Sequence, residues 1–558
     1  MKSAWNESDA QAFRNDPLKL RVYTSRLLGQ EEDLVVHGGG NTSVKLKETN
    51  IFGEEEELLY VKGSGWDLAT IEAEGFAPVK LSALHRLAQL DHLSDMDMVK
   101  YQRMAMTNPS APNPSVEAIL HAIIPFTFVD HTHADAGVTI SNTPGGPQRI
   151  EELYGPNMLI VPYVMPGFIL AKTIYEMTRR LEWEKLDGMI LLHHGVFSFD
   201  HDARRSYEKM IDIVSKAEDY LQQQGVKPIP VANGRKSSPL KLAQLRAALC
   251  RLMQMPTLAR LDSRAQAVAF SNLPNVADIT GRGPLTPDHI IRTKRTPLIV
   301  GNDIAHDLQT YSAQYAAYFE AHKYEGLQQL DPAPRWAVWP EHGTLAFGPS
   351  AKHLRIISDL NRHTTRAIYQ AEQLGGWKAL PQKDLFEVEY WSLEQAKLKK
   401  AGKPKPMQGQ IALVSGAAGG IGKACVERLV AEGAVVAALD INEAITTTFD
   451  AEEVLGLACD VTDTEQLKNA IERTVEHFGG LDLLVSNAGI FPPSAKIADM
   501  QPELWQKSLD INLSSHQQLL QLCIPYLELG VRPAVVLMAS KNVPAPGPGA
   551  GAYSVAKA

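Results

Sequence analysis

The sequence lacks the features that mark several classes of protein. It has only four cysteines among 558 residues, and none form a Cys-x-x-Cys pair. We therefore expect a reducing, cytoplasmic setting and no disulfide framework. No apolar run approaches the roughly 18 residues that span a bilayer. The first thirty residues carry charges throughout, so neither a membrane anchor nor a secretory signal is expected.

An excess of basic residues is also missing. The chain has 55 Lys and Arg against 64 Asp and Glu, which gives a net charge of −9 and no electrostatic footprint for nucleic acid. Small molecules held by local sites remain as ligands. A hydrophobic fraction of 44% supports packed globular structure, and the length predicts two or more domains.

Changes in composition and in the pattern of apolar residues divide the chain into three parts. We predict one α/β domain over residues 1–230, a mixed and mainly helical extension over 231–400, and a second α/β domain over 408–558. The Lys-, Gly- and Pro-rich residues 399–409 are interpreted as a linker. A charged surface loop within one domain is the alternative.

Apolar runs and helical periodicity place the expected elements. Before the linker we predict strands at 58–62, 127–133 and 189–194 and helices at 78–90 and 115–124. After it, apolar runs at 411–416, 435–440, 455–460, 481–487 and 534–540 alternate with helical segments. Such alternation predicts a doubly wound parallel sheet covered by helices.

Histidines mark a candidate metal site. His131 and His133 lie two residues apart on a predicted strand, so both imidazoles point to one face. A third ligand is available from His193 or His194, at the end of another predicted strand. Three histidines with an open position are typical of catalytic zinc. The alternative is that the His-x-His pair occurs by chance and binds no metal. Glu117 makes this alternative weaker, because it places a carboxylate shortly before the strand.

Two glycine-rich segments could hold a phosphate. Residues 37–43 and 62–65 follow short apolar runs and offer backbone N–H groups and hydroxyls. A plain flexible turn is the alternative for the three consecutive glycines.

Over about residues 20 to 220 the chain resembles the class II aldolase/adducin family. The resemblance rests on five motifs, in this order: GGGNTS, KGSG, PSVE, DHTHAD and HHGV. The resemblance implies an α/β/α fold and Zn²⁺ or another divalent ion on His131, His133 and His194. It also implies Glu117 as the catalytic residue and carbon–carbon cleavage without a Schiff-base lysine. The positions that match the substrate phosphate site are Asn41, Thr42, Ser64, Gly65 and Ser115.

A glycine-rich turn opens the last part of the chain. Gly416, Gly420 and Gly422 stand where the first predicted strand meets a helix, so the backbone can approach a pyrophosphate. Asp440 closes the second strand, where a carboxylate binds a ribose 2′-hydroxyl and repels a 2′-phosphate. NAD is therefore expected rather than NADP.

Further motifs in this part resemble short-chain dehydrogenases. Tyr553 and Lys557 are four residues apart, hence on one helical face, where the ammonium can stabilise the phenolate and hold ribose hydroxyls. The resemblance implies that Tyr553 is the acid/base, that Ser540 orients the substrate and that Asn512 supports a proton relay. Other positions matching the cofactor site are Ile421, Asp460, Val461, Asn487, Ala488 and Gly489.

The sequence given stops one residue after Lys557. By resemblance, the rest of that helix, two further strands and a substrate loop would follow it. We therefore expect this C-terminally incomplete Rossmann-like half to transfer hydride poorly. NADH formation at a normal rate would refute that expectation.

An aldolase/adducin part ahead of a short-chain dehydrogenase resembles the bifunctional rhamnulose-1-phosphate aldolase/lactaldehyde dehydrogenase family. This implies phosphorylated sugar and aldehyde substrates, and a homo-oligomer is expected. Fuculose or ribulose 1-phosphate as substrate, a non-catalytic adducin-like module, and an NAD-binding scaffold with a decayed aldolase remain alternatives. Residues 286–289 and 340–343 could contribute to a pocket, although buried or surface histidines are the commoner explanation.

Overall fold

The computed structural model describes residues 1–234, 238–398 and 403–558. It contains three β-sheets, each formed by a consecutive part of the chain. Residues 399–402, the first part of the predicted linker, lie outside the described residues. In the ranges described, no helix combines the length and apolar character needed to cross a membrane.

The first sheet has seven strands in the order β3-β2-β1-β4-β7-β6-β5. Its strands are β1 Asn41–Thr49, β2 Glu55–Lys62, β3 Phe76–Lys80, β4 Phe128–Thr132, β5 Met158–Val161, β6 Gly188–Leu191 and β7 Gly195–Asp200. All neighbours are antiparallel except β5 and β6. The central strand β4 pairs Asn41 with His131 on one side and His131 with Phe197 on the other.

Helices cover both faces of this sheet. They are α1 Glu7–Gln11, α2 Pro17–Gly29, α3 Leu81–Ala88, α4 Asp95–Met104, α5 Ala118–Ile123, α6 Asp135–Ser141, α7 Gly146–Tyr154, α8 Phe168–Thr178 and α9 Ala203–Gln223. Alternate residues of β6 point into different cores: Met189 packs with α3, α5 and α8, whereas Ile190 packs with α2, α6 and α9. The period-2 geometry of a strand thus yields an α/β/α sandwich.

The helix predicted from Pro78 begins later, at Leu81. Residues 76–80 instead form the edge strand β3, where Pro78 pairs with Tyr60. An edge strand tolerates proline because it needs hydrogen bonds on only one side. That boundary of the prediction was wrong.

The second sheet adds strands to the segment predicted as mainly helical. Its order is β8-β11-β10-β9, with β8 Leu258–Asp262, β9 Leu298–Ile299, β10 Trp336–Trp339 and β11 Gly343–Gly348. The surrounding helices are α10 Pro239–Met253, α11 Ala265–Ser271, α12 Val276–Gly281, α13 Ile290–Thr293, α14 Ile304–His322, α15 Ala351–Gln373, α16 Gln382–Glu389 and α17 Ser392–Leu398. Residues 340–342 are the turn of the β10–β11 hairpin, and His342 stacks on Trp339.

The third sheet is fully parallel, as the alternating pattern predicts. Its order is β14-β13-β12-β15-β16, with β12 Ile411–Ser415, β13 Val435–Asp440, β14 Val454–Ala458, β15 Leu483–Ser486 and β16 Ala534–Leu537. Its helices are α18 Gly420–Ala431, α19 Ile445–Thr448, α20 Thr464–Phe478, α21 Pro502–Leu509, α22 Ser515–Leu527 and α23 Gly551–Lys557. The strand order reverses between β12 and β15, where ligands bind in open α/β sheets.

The second and third sheets share one hydrophobic core. Leu258 and Trp336 belong to the same buried cluster as Phe478 and Leu527. Helix α20 packs against β8, and α10 packs against α20 and α22. The two parts are therefore docked through buried apolar surface.

Candidate active sites

Three histidines from two parts of the first sheet converge. His131 lies in β4, His133 follows its end, and His194 lies in the tight turn between β6 and β7. One ring nitrogen of each lies within 4.8 Å of the others. The structure thus brings the three predicted ligands together, and His194 rather than His193 is the third member of the cluster.

Gly195 makes this convergence possible. A Cβ added at this position would lie 2.9 Å from His131 Cε1 and 3.1 Å from His133 Cδ2. It would also clash with the Thr132 carbonyl oxygen. Any side chain here would occupy the space between the imidazoles, so the His-His-Gly motif has a steric reason.

Burial favours the neutral form of two of these imidazoles, those of His131 and His133. Burial lowers the pKa of His131 to about 4 and carries the pKa of His133 well below its usual value. The Nδ1 of His131 lies 3.0 Å from the Val196 carbonyl oxygen, so it carries the hydrogen and donates. The Nε2 of His131 is then free to act as a ligand atom.

Glu117 stands beside these rings at the start of α5. Its carboxylate oxygens lie 3.6 Å from His131 Nε2 and 3.9 Å from His194 Nε2. Burial raises the pKa of Glu117. The nearby His131 and His194 and a hydrogen bond from the Asn41 amide lower it by more, so the net shift is downward. Among the described residues its buried Oε1 has no hydrogen-bond partner.

One buried residue that the sequence analysis missed, His121, supports this arrangement. His121, one helical turn after Glu117, bonds through Nε2 to Asn41 Oδ1 and through Nδ1 to Ser43 Oγ at 2.8 Å. Asn41 in turn donates to Glu117 Oε2 at 2.5 Å. The four-residue spacing of Glu117 and His121 on a helix was the available signal.

The donor set fits a divalent ion. Three imidazoles and a carboxylate with an unpartnered buried oxygen face one another, a ligand type and number found in catalytic zinc sites with an open position. An uncompensated buried carboxylate oxygen is costly unless a cation or a proton partner satisfies it.

A cavity of about 390 Å³ opens onto the histidines. Its polar end includes Asn41, Ser64, Gly65 and Ser115, four of the five residues expected at a phosphate. Lys62 donates to the carbonyl oxygens of Gly38 at 2.9 Å and Gly40 at 3.1 Å, and burial lowers its pKa to about 8. Lys62 therefore shapes the glycine loop.

Thr42, the fifth expected residue, is not brought to this cavity. Its side chain is fully buried, and its hydroxyl lies 2.8 Å from that of Ser25. Because successive residues of β1 point to opposite faces, Asn41 and Thr42 cannot both face the histidines. The Thr42 side chain therefore faces away from the cavity, and a phosphate contact at this position stays a prediction.

The second sheet's part of the chain completes the cavity wall. Residues from this part that line it are Asp288, Ile291, Trp391, Leu393, Glu394 and Ala396. Asp288 Oδ2 lies 3.4 Å from His133 Nδ1. The segment 286–289, left open by the sequence analysis, thus reaches the site.

A second constellation surrounds the carboxyl ends of β12 and β15. Gly416 and Gly420 have φ of 67° and 54°, and a Cβ at Gly422 would lie 2.0 Å from the Gly416 carbonyl oxygen. Asn487 Nδ2 donates to the carbonyl oxygens of Ser415 at 3.0 Å and Gly416 at 3.2 Å. This bare backbone cradle fits a dinucleotide pyrophosphate.

Residues that would contact the rest of a dinucleotide flank the cradle. Asp440 Oδ2 accepts from the Ala418 amide at 2.9 Å, which holds the carboxylate at the glycine turn. Ile421 is exposed at the start of α18, and Ala488 donates to Ser415 Oγ at 3.1 Å. Asp460 caps its own turn through Thr462, with Val461 buried beside it.

The Tyr–Lys pair lies on α23. Lys557 Nζ donates to the Met538 carbonyl oxygen at 3.0 Å and lies 3.3 Å from His516 Nε2. A Cβ on Gly489 would meet Asn512 Oδ1 at 2.9 Å and Lys557 Nζ at 3.4 Å, so these groups share one corner.

Local contacts position Tyr553, Ser540 and Asn512. The Tyr553 ring packs 4.8 Å from that of Phe491, and Ser540 Oγ accepts from the Asn542 amide at 3.2 Å. Asn512 lies in a π-helical turn and donates to the Ile490 carbonyl oxygen at 2.9 Å. Such π-turns are frequent at functional sites.

Comparisons with known proteins match all three parts. Residues 19–221 match the class II aldolase and adducin N-terminal domain, residues 237–398 the second domain of class II aldolase, and residues 410–558 the short chain dehydrogenase model. The N-terminal class II aldolase domain of a conserved Thermoplasma acidophilum protein is 39% identical, with a TM-score of 0.36, covering 40% of this chain and 99% of that one.

Two curated relatives extend the match. The NAD(+)-dependent 15-hydroxyprostaglandin dehydrogenase of Bos taurus is 40% identical over 117 residues, covering 20% of this chain and 41% of that protein. The uncharacterized oxidoreductase YuxG of Bacillus subtilis is 30% identical over 588 residues, covering 100% of this chain and 85% of that protein. The chain therefore belongs to a family of fused oxidoreductases in which class II aldolase/adducin domains precede a short-chain dehydrogenase domain.

Proposed function

We propose that the chain cleaves L-rhamnulose 1-phosphate to dihydroxyacetone phosphate and L-lactaldehyde, and oxidises the aldehyde with NAD. The observation that carries the first activity is the meeting of His131, His133, His194 and Glu117 at one cavity. The glycine cradle and the Tyr553–Lys557 helix support the second. Four unpaired cysteines support a reducing compartment, the cytoplasm.

The residues of the cavity divide the work of cleavage. A divalent ion on the three imidazoles would polarise the ketose carbonyl and offset negative charge as the C3–C4 bond breaks. Ser64, Gly65 and Ser115 would bind the phosphate and hold the sugar in register. Glu117 is placed to deliver a proton to C3 after the bond has broken, which balances the proton that the C4 hydroxyl loses as it becomes the aldehyde carbonyl.

Oxidation would use the residues around Gly489. NAD would accept the hydride of the hydrated aldehyde. Tyr553 would accept the hydroxyl proton, and Lys557 would bind ribose hydroxyls and stabilise the phenolate. The products are then lactate, NADH and two protons, one of them from ionisation of the acid. Removing the reactive aldehyde would also draw the reversible cleavage forward.

The test is a panel of ketose 1-phosphates assayed for dihydroxyacetone phosphate with and without a chelator. We expect the highest kcat/KM with L-rhamnulose 1-phosphate, a loss of rate on chelation, and recovery with Zn²⁺. A faster reaction with fuculose or ribulose 1-phosphate would reassign the substrate. No cleavage of any sugar, despite a folded protein, would leave only the nucleotide-binding role.

Cofactor choice provides a separate prediction. Asp440→Asn keeps an oxygen that can accept from the Ala418 amide but removes the charge that repels a 2′-phosphate. We expect the ratio of NADPH to NADH dissociation constants to fall roughly tenfold, about 1.4 kcal/mol. Fluorescence titration measures both constants, with Glu427→Gln as a control at an exposed carboxylate of α18. An unchanged ratio would remove Asp440 from the ribose site.

A further inference from the structure

Asp288 approaches the histidine cluster from a distant part of the chain. It lies in the short 3₁₀ turn Pro287–His289, and its carboxylate is 3.4 Å from His133 Nδ1. The side chain is 39% exposed and lines both the 390 Å³ cavity and a neighbouring cavity of about 270 Å³. Asp288 therefore stands at the junction of the two cavities.

The two nitrogens of His133 face different partners. Its Nε2 lies 3.1 Å from His131 Nε2, within the cluster, whereas its Nδ1 faces Asp288. An imidazole that binds a metal through one nitrogen usually donates its other N–H to a carboxylate or carbonyl. The Val196 carbonyl serves His131 in this way, and Asp288 is the corresponding acceptor for His133.

The separation of 3.4 Å is slightly longer than an ordinary N–H···O hydrogen bond. Contacts of this kind are often long in unliganded sites and shorten once the ligand is bound. The Asp288 side chain is 39% exposed and borders both cavities, which leaves it room to move toward His133.

Buried neighbours hold the backbone of Asp288. His289 is 6% exposed with its ring near Thr364 of α15, and Ile290 is fully buried. Helix α15 is tied to the first domain by the His363 Nδ1 contact to Asp135 Oδ2 at 2.6 Å. The position of Asp288 is thus set by the packing of the second aldolase domain on the first.

We propose that Asp288 is a positioning residue that fixes the tautomer and orientation of His133, so that the second aldolase domain completes the metal site of the first. The proposal rests on the metal-dependent function proposed above. It goes beyond that function by assigning the second domain a direct part in metal affinity. Carboxylates and carbonyls that accept from the other N–H of a ligating imidazole typically contribute 10–100-fold in metal affinity.

The test measures metal binding rather than turnover. Apo-protein is titrated with Zn²⁺ against a chromophoric chelator, and with Co²⁺ while the visible absorption spectrum is recorded. We expect Asp288→Ala to bind Zn²⁺ about 10–100-fold more weakly and to shift the Co²⁺ bands. Asp288→Asn, which keeps an acceptor oxygen, should recover part of the affinity. Asp219→Asn, an exposed carboxylate on α9, is the matched control.

The outcomes separate the two proposals. If wild-type and Asp288→Ala proteins bind Zn²⁺ equally well, the positioning role is overturned and the proposed function is left intact. Wild-type protein that binds neither Zn²⁺ nor Co²⁺ would overturn both. Matching thermal unfolding of the Asp288 variants and wild type shows that a lost affinity is not a lost fold.

Discussion

Glu117→Gln is expected to lower the rate of ketose 1-phosphate cleavage by at least 100-fold while the protein keeps its metal. Glutamine has the same size and retains an oxygen that can accept from Asn41 Nδ2, the contact now made at 2.5 Å. It cannot carry the proton that has to reach C3. General acid–base catalysis typically contributes 10²–10⁴-fold, which sets the expected loss.

The measurement pairs kcat from a dihydroxyacetone phosphate assay with metal content by mass spectrometry. Glu151→Gln, at an exposed carboxylate on α7, should match wild type in both. A Glu117→Gln protein that cleaves within tenfold of the wild-type rate would show that another group moves the proton. Loss of the metal together with the rate would identify Glu117 as an essential ligand instead.

Much of the candidate metal site follows from local sequence. The two-residue spacing of His131 and His133, a strand ending at the His-Gly pair, and a carboxylate at a helix start are short-range signals. The side-chain periodicity of strands and helices then predicts which way each of these side chains points. The structure brings all four groups together as these signals suggest.

The contribution of Asp288 could not be derived in this way. It lies 155 residues after His133, and tertiary contacts such as the packing of α15 on α6 bring the two together. A short Pro-Asp-His segment has no periodicity of its own. The same is true of Lys62, whose role depends on carbonyl groups of a loop that precedes it by more than twenty residues.

The fold shows the same contrast. Strands of the third sheet lie within a few residues of the predicted runs, because a parallel buried strand is a continuous apolar segment between helices. In the second sheet, β9 has only two residues, one of them buried, and β10 has four, all buried. Runs so short cannot be told from pieces of helix by periodicity.

Arg246→Met is expected to destabilise the protein by about 3–5 kcal/mol, the usual effect of removing one partner of a buried ion pair. Arg246 of α10 donates to Asp482 through two nitrogens, at 3.0 and 2.6 Å, and also to the Thr257 and Gly409 carbonyl oxygens. Both side chains are almost completely buried. Gly480 leaves room for the guanidinium, since a Cβ there would lie 3.1 Å from Arg246 Nη1.

This ion pair joins the second aldolase domain to the dehydrogenase domain. Asp482 also accepts from the Ile411 and Val531 amides, so it organises the start of β12 and the approach to β16. Methionine would fill part of the space and leave the Asp482 charge without its cation. The damage should therefore be concentrated at the domain junction and in the third sheet.

Urea unfolding followed by circular dichroism measures the loss, with Arg251→Met as the control because it removes an exposed arginine from the same helix. Fluorescence of Trp505, the one tryptophan after residue 403, reports on the dehydrogenase domain separately. We expect this signal to shift to lower urea in Arg246→Met and to be unchanged in Arg251→Met. Equal unfolding of the two variants would mean that apolar packing alone holds the domains together. A selective loss would mean that the dehydrogenase domain depends on its aldolase neighbour to balance a charge inside its own core.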